Sequence, residues 1–97
     1  MKVEILPAAE RELEEAVRWY DSKGPVLGDR FLDEYQRAVR RIVAFPRAWA
    51  KISKRSRRCR MNKFPYGVIY QIRQDSAMII AVAHLHRRPR YWRDREE

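Results

Sequence analysis

Three things are scarce in this chain, and each closes off a class of protein. Cys59 is the single cysteine in 97 residues, so no internal disulfide can form, which is the usage expected of a reducing compartment. No apolar run approaches the roughly 20 residues that a membrane-spanning helix needs. No basic-then-apolar leader opens the chain, so a soluble, cytoplasmic protein without a membrane partner is expected. Acidic residues are missing altogether from Tyr35 to Gln74, a stretch holding twelve Lys/Arg. Repeats, low-complexity segments and linkers are absent too, so residues 1–97 read as one domain.

The missing acids leave the charge lopsided. Residues 1–45 carry eight Lys/Arg against nine Asp/Glu, a net of −1, whereas residues 46–97 carry fourteen against four, a net of +10. A surface that is merely solvated mixes the two signs. Segregation on this scale implies a basic face directed at a polyanionic partner, either a nucleic acid or an acidic protein.

In chain order, Met1–Leu6 alternates Val3 and Ile5 with polar residues and stops at Pro7, which lacks a backbone donor and suits the first turn of a helix. In the helix that follows, Ala9, Leu13, Ala16, Val17 and Tyr20 recur at helical spacing. Glu10, Glu12, Glu14 and Glu15 crowd the early turns, where the helix dipole favours anions. Gly24-Pro25 breaks it. A second helix runs from about Val26 to Phe45, with Phe31, Tyr35, Ala38, Ile42 and Phe45 forming one apolar stripe. Pro46 ends it. Two amphipathic helices joined by so short a turn pack as an antiparallel hairpin. Trp19, Tyr20 and Trp49 read as packing residues of that hairpin.

The second half is built for strands. One lies near Arg55–Asn62, where Cys59 and Met61 alternate with Arg58 and Arg60, and Arg55 and Arg57 continue the Cys/Met side. Cys59 reads as a small buried hydrophobe. A β-hairpin follows, with arms Gly67–Arg73 and Ala77–His84 rich in Val, Ile and Tyr and a polar turn at Gln74–Ser76. Alternation puts Met78, Ile80, Val82, His84 and His86 on one face of its second arm and Ile79, Ala81, Ala83 and Leu85 on the other. Both faces are apolar, as in a central strand covered on both sides. The expected fold is α+β, in the order β-α-α-β-β-β, with a helical hairpin on a mostly antiparallel four-stranded sheet.

That order, with AAERELEEAVRWY opening the first helix, FPYGVIYQI on the first arm and IIAVAHLHRRPRYW at the end, resembles the RelE/ParE superfamily of toxins from bacterial type II toxin–antitoxin pairs. The resemblance covers nearly the whole chain. It implies a small basic toxin of a plasmid-stabilisation module, blocked by an acidic antitoxin in a hetero-oligomer. ParE-like members poison DNA gyrase, and RelE-like members cut mRNA in the ribosomal A site. The ending is closer to the ParE-like branch, so a gyrase poison is expected. A ribosome-dependent endoribonuclease and a non-toxic nucleic-acid-binding module are the alternatives.

A metal-independent ribonuclease would need a group to move protons at the scissile phosphate and cations to hold its charge. His84, His86, Arg60 and Tyr91 are the candidates for those roles. The plainer reading makes the histidines a sheet cap and a surface residue. No metal or other cofactor is expected, because no acidic ligand accompanies the two histidines and Cys59 is remote from them. Lys51, Lys54, Arg55, Arg57, Arg58, Arg60 and Lys63, with Arg87, Arg88 and Arg90, are the candidate contacts to phosphates or antitoxin carboxylates. Tyr91 and Trp92 either offer stacking surfaces beside these cations or fold back onto the sheet as a lid.

Overall fold

The computed structural model describes all 97 residues, Met1–Glu97. Strand β1 (Lys2–Ile5) leads into helix α1 (Pro7–Lys23), and α2 (Leu27–Ala44) returns beside it. Strands β2 (Ala50–Lys51), β3 (Arg57–Arg60), β4 (Tyr66–Arg73) and β5 (Ser76–His84) follow, and a short 3-10 turn spans Arg93–Arg95. The sheet order is β1-β5-β4-β3-β2, with β1 parallel to β5 and every other pair antiparallel. A helical hairpin on a mostly antiparallel sheet is the fold expected from the sequence. The sheet has five strands rather than four, because Ala50 and Lys51 pair with Arg58 and Arg57. Two exposed residues carry no periodicity by which such a strand could be read.

The helices cover one face of the sheet. Ala9 and Ala16 of α1 and Phe31, Ala38 and Ile42 of α2 pack on Cys59, Val68, Tyr70, Ala77, Ile79 and Val82. The turn between the helices depends on a close approach. The Gly28 N–H donates to Asp21 Oδ1 at 2.9 Å, and a Cβ at Gly28 would lie 2.3 Å from that oxygen. Asp21 of α1 thus satisfies an N–H in the first turn of α2 that has no partner within its own helix.

The two faces of β5 do not alternate as the sequence predicts. Ile69 faces Ala81 while Tyr70 faces Ile79, so Ile80 is an extra residue without a partner on β4. Such a bulge moves the side chains beyond it to the opposite face. Ala77, Ile79 and Val82 therefore join the helix-side core, whereas Ile80, Ala81 and Ala83 form a second cluster on the other face. Met78 and Ile80 accordingly do not share a face with Val82. Leu85 and His86 lie beyond the strand, in the turn where the Arg87 N–H donates to the His84 carbonyl.

The helix-free face is closed by the end of the chain. Trp92, buried at 4% exposure, covers Ile69, Ile80, Ala81 and Ala83, so the lid reading describes it. The last residues continue across the sheet. Glu96 accepts hydrogen bonds from the hydroxyls of Ser53 and Ser56, and the Glu97 N–H donates to Gln71 Oε1. Two aromatic assignments change. Trp19 is 54% and Phe45 65% exposed: Trp19 falls off the α1 stripe that Ala16 and Tyr20 carry onto the core, and Phe45 follows the last residue of α2.

Candidate functional site

Glu12 ties the tail to the helices. Its carboxylate accepts from the Tyr91 hydroxyl at 2.7 Å, from both terminal nitrogens of Arg95 at 2.9 and 3.3 Å, and from the Val82 N–H at 3.1 Å. Arg95 also donates to the Ile80 carbonyl at 2.9 Å. The location follows from topology. β1 pairs with β5 only as far as Ile79, so the polar groups of β5 beyond it need other partners. Glu12 and Arg95 supply two of them. Burial and then the hydrogen bond to Glu12 push the Tyr91 hydroxyl well above the usual phenol range. Arg87 stacks over the Tyr91 ring at 4.0 Å.

Beside this clasp a groove of about 320 Å³ runs between α1 and the end of the hairpin, bounded by Ala16, Trp19, Tyr20, Tyr66, Val82 and His84. His84 packs edge-on against Tyr66, with ring centroids 5.1 Å apart, and lies 5.4 Å from His86. Its Nδ1 accepts the His86 N–H at 3.0 Å, which leaves Nε2 to carry the proton of the neutral ring. Trp19 stands on the outer rim with the Lys23 ammonium over its ring.

The other concentration of charge lies at the opposite end of β4. A cleft of about 460 Å³ is lined by Arg47, Lys51, Lys54, Arg55, Arg57 and Arg73, with Glu97 as its one carboxylate. β4 separates it from the histidines. Arg73 ends that strand and Tyr66, which faces His84, begins it, a span of about 24 Å at ~3.4 Å per residue.

A family model described as the ParE toxin of the type II toxin–antitoxin system, parDE, matches residues 3–89. The chain belongs to the ParE toxin family. Among solved structures it is similar to a chain of a chromosomal ParDE TA system from P. aeruginosa, with a TM-score of 0.63 and 11% identity over 87% of this chain and 95% of that one. At that identity the likeness concerns the fold alone. No curated protein matches the chain.

In this ParE-family chain the residues singled out by sequence fall into separate groups. Arg58, His84 and Tyr91 line one shallow pocket of about 200 Å³, together with Arg87, Arg88 and Arg90. Arg60 is not among them; it lies with Arg41, Trp49 and Asn62 at the open edge of β3 beyond β2. The four candidates for proton transfer are therefore not brought together. Arg58 lays its stem over Gly67, whose absent Cβ would meet the Arg58 Cγ and Cδ at 2.8 Å. Burial lowers its pKa, as does the nearby Arg60 charge. Arg57 donates to the carbonyls of Arg47 and Trp49 at 2.9 and 2.8 Å. Lys63 lies on the far side, 3.9 Å from Glu34.

Arg47, Arg73, Glu12 and Glu34 are among the residues of these networks that sequence reading did not single out as site residues. Arg47 and Arg73 complete the basic cleft, which forms only when the strands pair. Glu12 and Glu34 did carry a signal. Glu12 falls between Ala9 and Ala16 at i+3 and i−4, and Glu34 falls likewise between Phe31 and Ala38, so both sit on the apolar stripes. Glu34 is 4% exposed, held by Arg37 at 2.9 Å, and its Oε1 has no hydrogen-bond partner.

Proposed function

We propose that this chain is the toxin half of a type II pair, silenced in the cytoplasm by an acidic antitoxin and, when released, a poison of DNA gyrase. The observation that carries this reading is the match to the ParE toxin family over residues 3–89. The geometry favours action by binding over action by proton transfer. The sheet face free of helices is filled by Ile69, Ile80, Ala81 and Ala83 under Trp92. The Tyr91 hydroxyl is committed to Glu12.

The antitoxin's place is the groove between α1 and the hairpin. It presents apolar walls and an exposed Trp19, with Glu12 and Glu15 lining it beside Arg87, features that suit the apolar face of an amphipathic segment whose acidic side reaches the basic residues around it. The test is induction in cells with and without the adjacent antitoxin gene. Growth arrest with gyrase-linked DNA breaks, relieved by the antitoxin, is the expected result. Arrest with bulk mRNA decay and intact DNA would overturn the gyrase assignment, and harmless expression without antitoxin would overturn the toxin assignment.

A further inference from the structure

We infer that the basic cleft at the C-terminal end of β4 is a sequence-blind site for the phosphate backbone of a nucleic acid, and that Glu97 holds one of its cations until the backbone arrives. Six cations converge there on about 460 Å³ with a single carboxylate. Arg73 alone has an ion-pair partner, Glu97 at 3.5 Å; Arg47, Lys51, Lys54, Arg55 and Arg57 form none. Gathering six like charges around a single lining carboxylate opposes folding, and the opposition is relieved when an anion is bound.

Part of the cleft is fixed in advance. Arg57 is anchored by the carbonyls of Arg47 and Trp49, and the Tyr70 hydroxyl pins the same segment through the Pro46 carbonyl at 2.5 Å. Preorganised donors lose little freedom on binding. Four of the six cations are guanidiniums, whose forks match phosphate oxygens. The lining holds no aromatic ring for stacking on a base, and Ile72 is its one apolar residue. An acidic peptide would find no pocket for an apolar anchor. What remains is a site for consecutive phosphates that does not read bases.

Glu97 is the displaceable part. Its side chain is 75% exposed, so its pairing with Arg73 is weak and water can replace either partner. The site does not depend on which target the toxin has, and it lies at the opposite end of β4 from the groove proposed for the antitoxin.

The experiment is fluorescence anisotropy of a short random-sequence DNA duplex over a range of salt, with folded proteins checked by circular dichroism. The wild type should bind with a steep salt slope. Lys54→Ala/Arg55→Ala, at two exposed side chains, should lower that slope by about 2 and weaken binding about tenfold, since each phosphate contact contributes ~0.9 to the slope. Arg11→Ala/Arg18→Ala removes the same charge at two exposed positions of α1 and should leave the slope nearly unchanged. Glu97→Gln should tighten binding several-fold. Equal losses in the two double variants would overturn the site, as would a poly-glutamate peptide of matched charge competing better than unlabelled duplex or inorganic triphosphate. An unchanged affinity in Glu97→Gln would overturn the role given to that residue.

Discussion

Replacing Glu12 with alanine should detach the C-terminal strap and cost more stability than any other single surface-helix change. The carboxylate is 10% exposed at its side chain, and the Arg95 it faces is 22% exposed. Truncation removes the acceptor of the Val82 N–H, of the Tyr91 hydroxyl and of both Arg95 nitrogens. Arg95 keeps the Ile80 carbonyl, and its partial exposure lets water replace part of what is lost. Breaking a fully buried pair costs 3–5 kcal/mol, so this half-sheltered one should cost about 2–4 kcal/mol. For a domain of this size that corresponds to a fall in Tm on the order of 10–20 °C. Glu12→Gln keeps an acceptor but loses the charge, and should fall between. Thermal melts, with hydrogen exchange over residues 91–97, read both effects. A Glu12→Ala protein that melts within a degree or two of wild type, with its tail amides still protected, would refute the strap.

Further outcomes follow from single side chains. Although burial raises the pKa of Glu96, hydrogen bonds from Ser53 and Ser56 and the charges of Arg93 and Arg55 together hold it below its ordinary value. Its contribution to stability is therefore present above the unfolded carboxylate's pKa of ~4.3 and lost as pH falls through the lower folded value. Denaturation of wild type and Glu96→Gln should differ at neutral pH and converge in acid, and a gap that persists in acid would contradict this. Gly28→Ala, a change that elsewhere within a helix stabilises by up to ~1 kcal/mol, should destabilise here because its Cβ would collide with Asp21; a raised Tm would contradict it. Cys59 is fully buried, and burial pushes its thiol pKa up against the opposing pull of Arg41. A thiol reagent should label it only as fast as the protein unfolds, and rapid labelling of the native state would contradict its burial.

The helices were legible in the sequence because their apolar stripes persist for about three to four turns, and the hairpin was legible from two β-rich arms around a polar turn. The bulge was not. Ile79, Ile80 and Ala81 are all apolar, so no polar residue marks which face each one takes, and only pairing with β4 shows the extra residue. Spacing overstated burial at Phe45, which continues the α2 stripe past the last helical residue, and Trp19, read as a packing residue, turns away from the stripe that ends in the packed Tyr20. The basic face was legible as a run of cations without acids. Its division between two ends of the sheet was not, since Arg47, Arg57 and Arg73 meet only through strand pairing. Glu12 was read as a dipole partner on α1, and its position on the apolar stripe was the signal that it faces inward.

Holding gyrase rather than cutting RNA is the action proposed for this ParE-family chain. Its most direct test is DNA supercoiling by purified gyrase, run beside ribosome-programmed cleavage of an mRNA, with wild type and His84→Ala/His86→Ala in both. The wild type should stop supercoiling and leave the mRNA intact, and the double variant should still inhibit gyrase to the extent that its fold and contact surface survive. An mRNA cut at the ribosome with gyrase untouched, the cutting lost by roughly 10²–10⁴-fold in the double variant, would contradict it.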